Sequence, residues 1–116
     1  LFFIYRIRRM TKLTRVTTPT LDVVQVLLGS ADPIWGLALA KAVERAPGTV
    51  YPILSRLEEL GWIVGDWEGE SDHSGPRRRY YRLTDEGRAE AVALVAARAR
   101  RVVAAPTPRL AFGIPG

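Results

Sequence analysis

Apolar residues recur at helical spacing in three successive blocks of the chain. Leu21, Val24, Leu27 and Leu28 form the first. Thr18 can cap it, Pro19 suits its first turn and Gly29 ends it, which predicts a helix over about Thr18–Leu28. Asp32-Pro33, an N-cap residue followed by proline, predicts a second helix to about Arg45, with Ile34, Leu37, Ala38 and Ala42 turned inward. Val50, Ile53, Leu54, Leu57 and Leu60 make one stripe of a third helix, closed by Gly61. Its start has two readings. With Pro47 as the first residue, Pro52 lies in the interior and removes a backbone bond. With Thr49 as the N-cap, Pro52 falls in the first turn, where a missing N–H costs nothing.

The pattern then changes character. Trp62-Ile63-Val64 opens a run that reaches Trp67, and Arg77–Leu83 forms a second run with Tyr80 and Tyr81 at its centre. Both have strand composition, and residues 69–76 between them are turn-rich, which predicts a hairpin with a long tip. Alternation along the second strand puts Arg77, Arg79 and Tyr81 on one side, and Arg78, Tyr80 and Arg82 on the other. Thr84 caps a last helix to about Ala104, with Asp85 and Glu86 at its positive end. The chain has no visible internal repeat.

Helix, helix, helix, hairpin, helix is an α+β order that is mostly α. It matches a winged helix-turn-helix with a C-terminal dimerisation helix, a plan in which the third helix enters the major groove. The expected organisation is a basic arm over residues 1–17, a DNA-binding domain over 18–83, the dimerisation helix over 84–104 and a loose tail over 105–116. Met10 is the single methionine, and one reading begins the native chain there, with residues 1–9 upstream.

Composition narrows the chemistry. The 116 residues carry 17 basic and 12 acidic side chains, a net charge of +5, with no cysteine and one histidine. Thiolate metal sites, disulfides and cysteine nucleophiles are excluded, and neither a cofactor nor a metal is expected. An enzyme is a poor fit, since no phosphate loop or nucleophile–base pair is visible. The apolar start, Leu1-Phe2-Phe3-Ile4-Tyr5, is too short to span a bilayer, and its charges follow rather than precede it, unlike a signal peptide. Neither feature points to a membrane, and the cytoplasm is the expected location. The excess of base raises the prior for a nucleic-acid partner.

On the third helix, Thr49, Tyr51, Ser55, Arg56 and Glu59 fall off the apolar stripe. Arginine can pair bidentately with guanine, and Thr, Ser and Tyr can reach phosphates; a plain solvated face is the alternative. The Arg77-Arg78-Arg79 cluster beside the hairpin tip suits a wing that grips phosphates, or a solubilising charge run. Asp66, Glu68, Glu70 and Asp72 alternate opposite it, next to His73, and are read as partial neutralisation of the arginine strand rather than as a metal site. In the last helix Val92, Val95, Ala99 and Val102 recur at three- and four-residue steps, flanked by Ala96 and Val103, which suits a coiled-coil-like dimer seam or a stripe folded onto its own domain.

The run Gly48-Thr49-Val50-Tyr51-Pro52-Ile53-Leu54-Ser55-Arg56-Leu57-Glu58-Glu59-Leu60-Gly61-Trp62-Ile63 resembles the recognition-helix signature of PadR-family transcriptional regulators. Arg77-Arg78-Arg79-Tyr80-Tyr81-Arg82-Leu83-Thr84-Asp85-Glu86-Gly87 resembles the family's second motif, and Trp35-Gly36 its aromatic-glycine pair. The resemblance spans roughly residues 20–104. It implies a dimeric bacterial repressor on double-stranded DNA, released from its operator by a small-molecule effector. Thr49, Tyr51 and Arg56 would be recognition-helix contacts, and Arg77, Arg78 and Arg79 would belong to the wing. The short connection Glu44-Arg45-Ala46-Pro47 departs from the family pattern, and the single brief last helix points to its small subgroup. That helix has no tryptophan, so the aromatic drug pore of some small members is not expected here. A winged-helix module that binds protein without reading DNA is the competing function.

Overall fold

The computed structural model describes residues 16–69 and 75–104. The N-terminal run to residue 15, Glu70, Asp72 and His73 at the hairpin tip, and the tail from residue 105 lie outside the described residues. Helix α1 spans Thr18–Gly29, strand β1 Ile34–Trp35, helix α2 Gly36–Val43 and helix α3 Pro47–Glu59. Strands β2 (Ile63–Trp67) and β3 (Arg79–Leu83) form the hairpin, and helix α4 runs over Asp85–Ala104. The architecture is the helix-rich α+β winged helix expected. No described helix is long and apolar enough to cross a membrane.

Helix α1 is capped one residue earlier than expected. Thr17, in extended conformation, accepts a hydrogen bond from the Thr20 amide, and Pro19 sits in the first turn, where a missing donor is free. Val23, Val24 and Leu27 form its buried face.

The second helix departs most from expectation. Ile34 and Trp35 do not open a helix after Asp32-Pro33; they pair antiparallel with Tyr81 and Tyr80. A β-branched and an aromatic residue beside a central strand gain ladder bonds and cross-strand packing, and this outweighs the local capping signal. Helix α2 therefore starts at Gly36 and buries Gly36, Leu39 and Ala40, while Ala42 is exposed. It stops at Glu44, whose left-handed φ of 57° reverses the chain. Arg45 then ties the turn back to α1 through Asp22 at 2.9 Å.

For α3 the structure takes the Pro47 start. Ala46 is the N-cap, and its carbonyl accepts from Val50 N at 3.1 Å. Pro52 lies inside the helix. The carbonyl it leaves without a helical partner is that of Gly48, in an exposed turn where water can serve. Val50, Leu54 and Leu57 point inward.

The sheet order is β1-β3-β2, with Ile63 opposite Leu83 and Trp67 opposite Arg79. Both strands begin slightly inside their predicted limits, so Arg77 and Arg78 precede β3. Trp62, Ile63, Tyr81 and Leu83 close the core under the three helices, together with Ala91 from α4. Ile63 and Leu83 each contribute roughly 1.5–3 kcal/mol by leaving water.

Thr84 alone joins β3 to α4. Its Oγ1 accepts from Gly87 N at 2.8 Å and donates to Gly61 O at 2.9 Å, while its own amide donates to Trp62 O at 2.9 Å. The backbones meet so closely here that a Cβ on Gly87 would stand 1.9 Å from Trp62 O. The predicted cap is thus also a clasp between the hairpin and the last helix.

Candidate nucleic-acid interface

Thr49, Tyr51, Ser55, Arg56 and Glu59 are all exposed on α3, opposite its buried stripe. At 3.6 residues per turn, Thr49 and Arg56 lie on one outward line, and Tyr51 and Ser55 on another. Tyr51 stands on the hairpin side, where its ring rests over Gly36 at the head of α2.

The three hairpin arginines are held in three different ways. Arg77 is exposed, and its guanidinium donates to the Glu68 carbonyl at 2.9 and 3.1 Å. Arg78 is half-buried with its guanidinium 4.0 Å from the centroid of Trp35, a cation–π stack against β1. Its amide donates to Glu68 Oε1 at 2.7 Å. Arg79 donates to Glu58 of α3 at 2.5 Å and lies over the rings of Trp67 and Tyr81. The predicted alternation holds, with Arg79 on the side of Tyr81.

Electrostatics follow this packing. The bond to Glu58 raises the Arg79 pKa, so its charge is permanent. Burial raises the Tyr81 phenol, partly opposed by the Arg79 charge. Among the described hairpin carboxylates Glu68 accepts from the Arg78 backbone amide, whereas the Arg79 guanidinium finds its carboxylate on α3. Among the described residues no group of side chains could hold a metal ion.

Between α3 and the hairpin lies a recess of about 530 Å³ whose walls include Trp35, Tyr51, Trp67 and Arg77–Arg79. Sequence reasoning found Tyr51 and the arginines but missed Trp35, Glu58 and Trp67 as part of this surface. For Glu58 a signal existed, since it stands seven residues from Tyr51 and therefore on the same side of α3. Along α4, Val92, Ala99 and Val102 are exposed, and Val102 is 66% accessible. Val95 is half-buried against the core of its own domain, beside Leu94.

A model of the transcriptional regulator PadR-like family matches residues 24–93. The chain belongs to this family. As a PadR-like protein it is a DNA-binding transcriptional regulator and not an enzyme. No curated protein sequence matches it. Among solved structures it is similar to a PadR family transcription regulator from hypervirulent Clostridium difficile R20291, at 29% identity and TM-score 0.56, over 72% of this chain and 92% of that one. It is also similar to smu.1704 from Streptococcus mutans UA159, at 25% identity and TM-score 0.61, over 78% and 87%. At the level of fold alone it resembles S. aureus MepR, solved as a DNA complex, with 18% identity, TM-score 0.61 and coverage of 87% and 79%. These neighbours share the winged-helix plan.

Proposed function

We propose that this PadR-like chain is a cytoplasmic bacterial repressor that binds a near-palindromic operator as a homodimer and leaves it when a small-molecule effector binds. The observation that carries the reading is the outward face of α3. Thr49, Tyr51, Ser55 and Arg56 are exposed together, flanked by Arg77, Arg78 and Arg79. Arg56, with no protein acceptor among the described residues, would read a base edge, while Thr49, Ser55 and Tyr51 would meet phosphates. Arg77 and Arg78 would lie along the backbone beside them.

Dimerisation would use the outward stripe of α4, with Val92, Ala99 and Val102 as its exposed members and Val95 at its inner edge. Two-fold pairing would set the two α3 helices about 34–36 Å apart, one turn of DNA. The test is binding to labelled DNA from immediately upstream of the protein's own gene at about 0.15 M salt, where screening acts beyond roughly 8 Å. Retention against scrambled competitor is the expected result. Loss to any competitor DNA would remove sequence reading, and no binding at all would favour a protein-interaction module.

A further inference from the structure

Arg79 is the wing arginine with the least freedom. Its guanidinium donates to Glu58 at 2.5 Å, and the indole of Trp67 and the ring of Tyr81 lie 5.2 and 5.7 Å away. On the remaining side it presses on Gly65, where an added Cβ would stand 2.6 Å from Arg79 Nε. The ion pair is partly shielded, with side chains 27% and 31% accessible. Arg77, two residues before it, is exposed, and its guanidinium donates to the Glu68 backbone carbonyl.

We infer that the Glu58–Arg79 pair is a positioning strut that fixes the wing against the reading helix, and that its role in DNA binding is selectivity rather than grip. This rests on the DNA-binding reading above. Glu58 occupies the flank of α3 that also carries Tyr51, so the bridge sets the gap between the helix that enters a groove and the strand that meets the backbone. Held by the strut, the two elements engage DNA as one rigid surface. Wing contacts then form when α3 is seated in register and not otherwise, which makes binding depend on sequence. Without the strut the wing moves independently, and Arg79 becomes one more cation for any phosphate.

The experiment uses the full chain, a duplex that the wild-type protein selects from a randomised pool, and a random-sequence duplex of equal length. Dissociation constants for both are measured across a salt series by fluorescence anisotropy. Glu58→Gln keeps the side chain's size and removes its charge. It should steepen the salt slope on random DNA by about 0.9, the value of one added phosphate contact, and lower the selected-to-random affinity ratio about tenfold. Glu58→Asp keeps the charge and shortens the reach, so the ratio should fall with the random-DNA slope unchanged. Arg77→Ala should flatten both slopes by about 0.9 and preserve the ratio. Arg79→Ala that matches Arg77→Ala would make Arg79 an ordinary phosphate contact and overturn the strut, as would unchanged slopes and ratio in Glu58→Gln. Melting curves confirm that each variant is folded. A wild-type chain that selects no duplex overturns the DNA-binding reading itself, and is distinguished because it appears before any variant is made.

Discussion

The phenol of Tyr51 lies directly over Gly36, so close that a Cβ on the glycine would stand 2.8 Å from the Tyr51 oxygen. A residue of α3 is thus aimed by the absence of a side chain on the helix before it. Gly36→Ala would push the tyrosine ring aside. Because the obstructed atoms belong to the end of a side chain that can rotate, the stability loss should be below about 1 kcal/mol. The DNA contact proposed for Tyr51 should suffer more. Thermal melting beside operator titration checks this, and a large drop in melting temperature with normal DNA affinity would reverse the assignment.

Gly87 is the opposite case. The atom in the way is the Trp62 carbonyl oxygen, 1.9 Å from an added Cβ, and backbone cannot step aside cheaply. Gly87→Ala should break the clasp at Thr84 and cost about 3 kcal/mol or more. Urea unfolding reads the loss directly.

Stability should fall in alkali. Burial keeps the Tyr81 proton bound in the native state to higher pH than in the unfolded chain, where tyrosine ionises near about 10. Above that pH the unfolded state has released a proton that the native state retains, so unfolding gains as pH rises. The contribution is intact below about pH 10 and is lost through the native pKa. Tyr81→Phe should flatten this part of the stability profile, measured by urea unfolding between about pH 9 and 11.

Arg56→Ala should weaken operator binding by about 1–3 kcal/mol and relax preference at one base position. A panel of single-base operator variants measures both. Equal weakening on every sequence would make Arg56 a phosphate contact.

Charge on α4 separates two roles. Val102 is largely exposed, so Val102→Asp should split the proposed dimer while leaving the fold intact. Val95 packs against its own core, so Val95→Asp should also lower the melting temperature. Light scattering of both variants gives the masses, and a Val102→Asp protein of unchanged mass would rule this seam out.

The elements most visible in the sequence were those whose reasons are local. The Val50, Leu54, Leu57 stripe and the Thr84 cap followed from periodicity and capping chemistry, and both stand in the structure. Ile34-Trp35 misled because a strand of two residues leaves no periodic trace, and its partner, Tyr80-Tyr81, lies far along the chain. The same holds at the candidate interface. Exposed Arg56 and Tyr51 could be read from the helical repeat, but Glu58 looked like any surface acid until the fold brought Arg79 to it. Arg78 over Trp35 depends on β1 joining the sheet, which no local signal announced.

The single residue between β3 and α4 has a mechanical consequence. A helix of 20 residues extends about 30 Å, and Thr84 clamps its root to the hairpin by three hydrogen bonds within 2.9 Å. With no slack at the root, and with Ala91, Leu94 and Val95 packed on the core, the first half of the helix is held to the domain along its length. The orientation of the exposed Val92, Ala99 and Val102 stripe is therefore fixed relative to the hairpin by the fold itself.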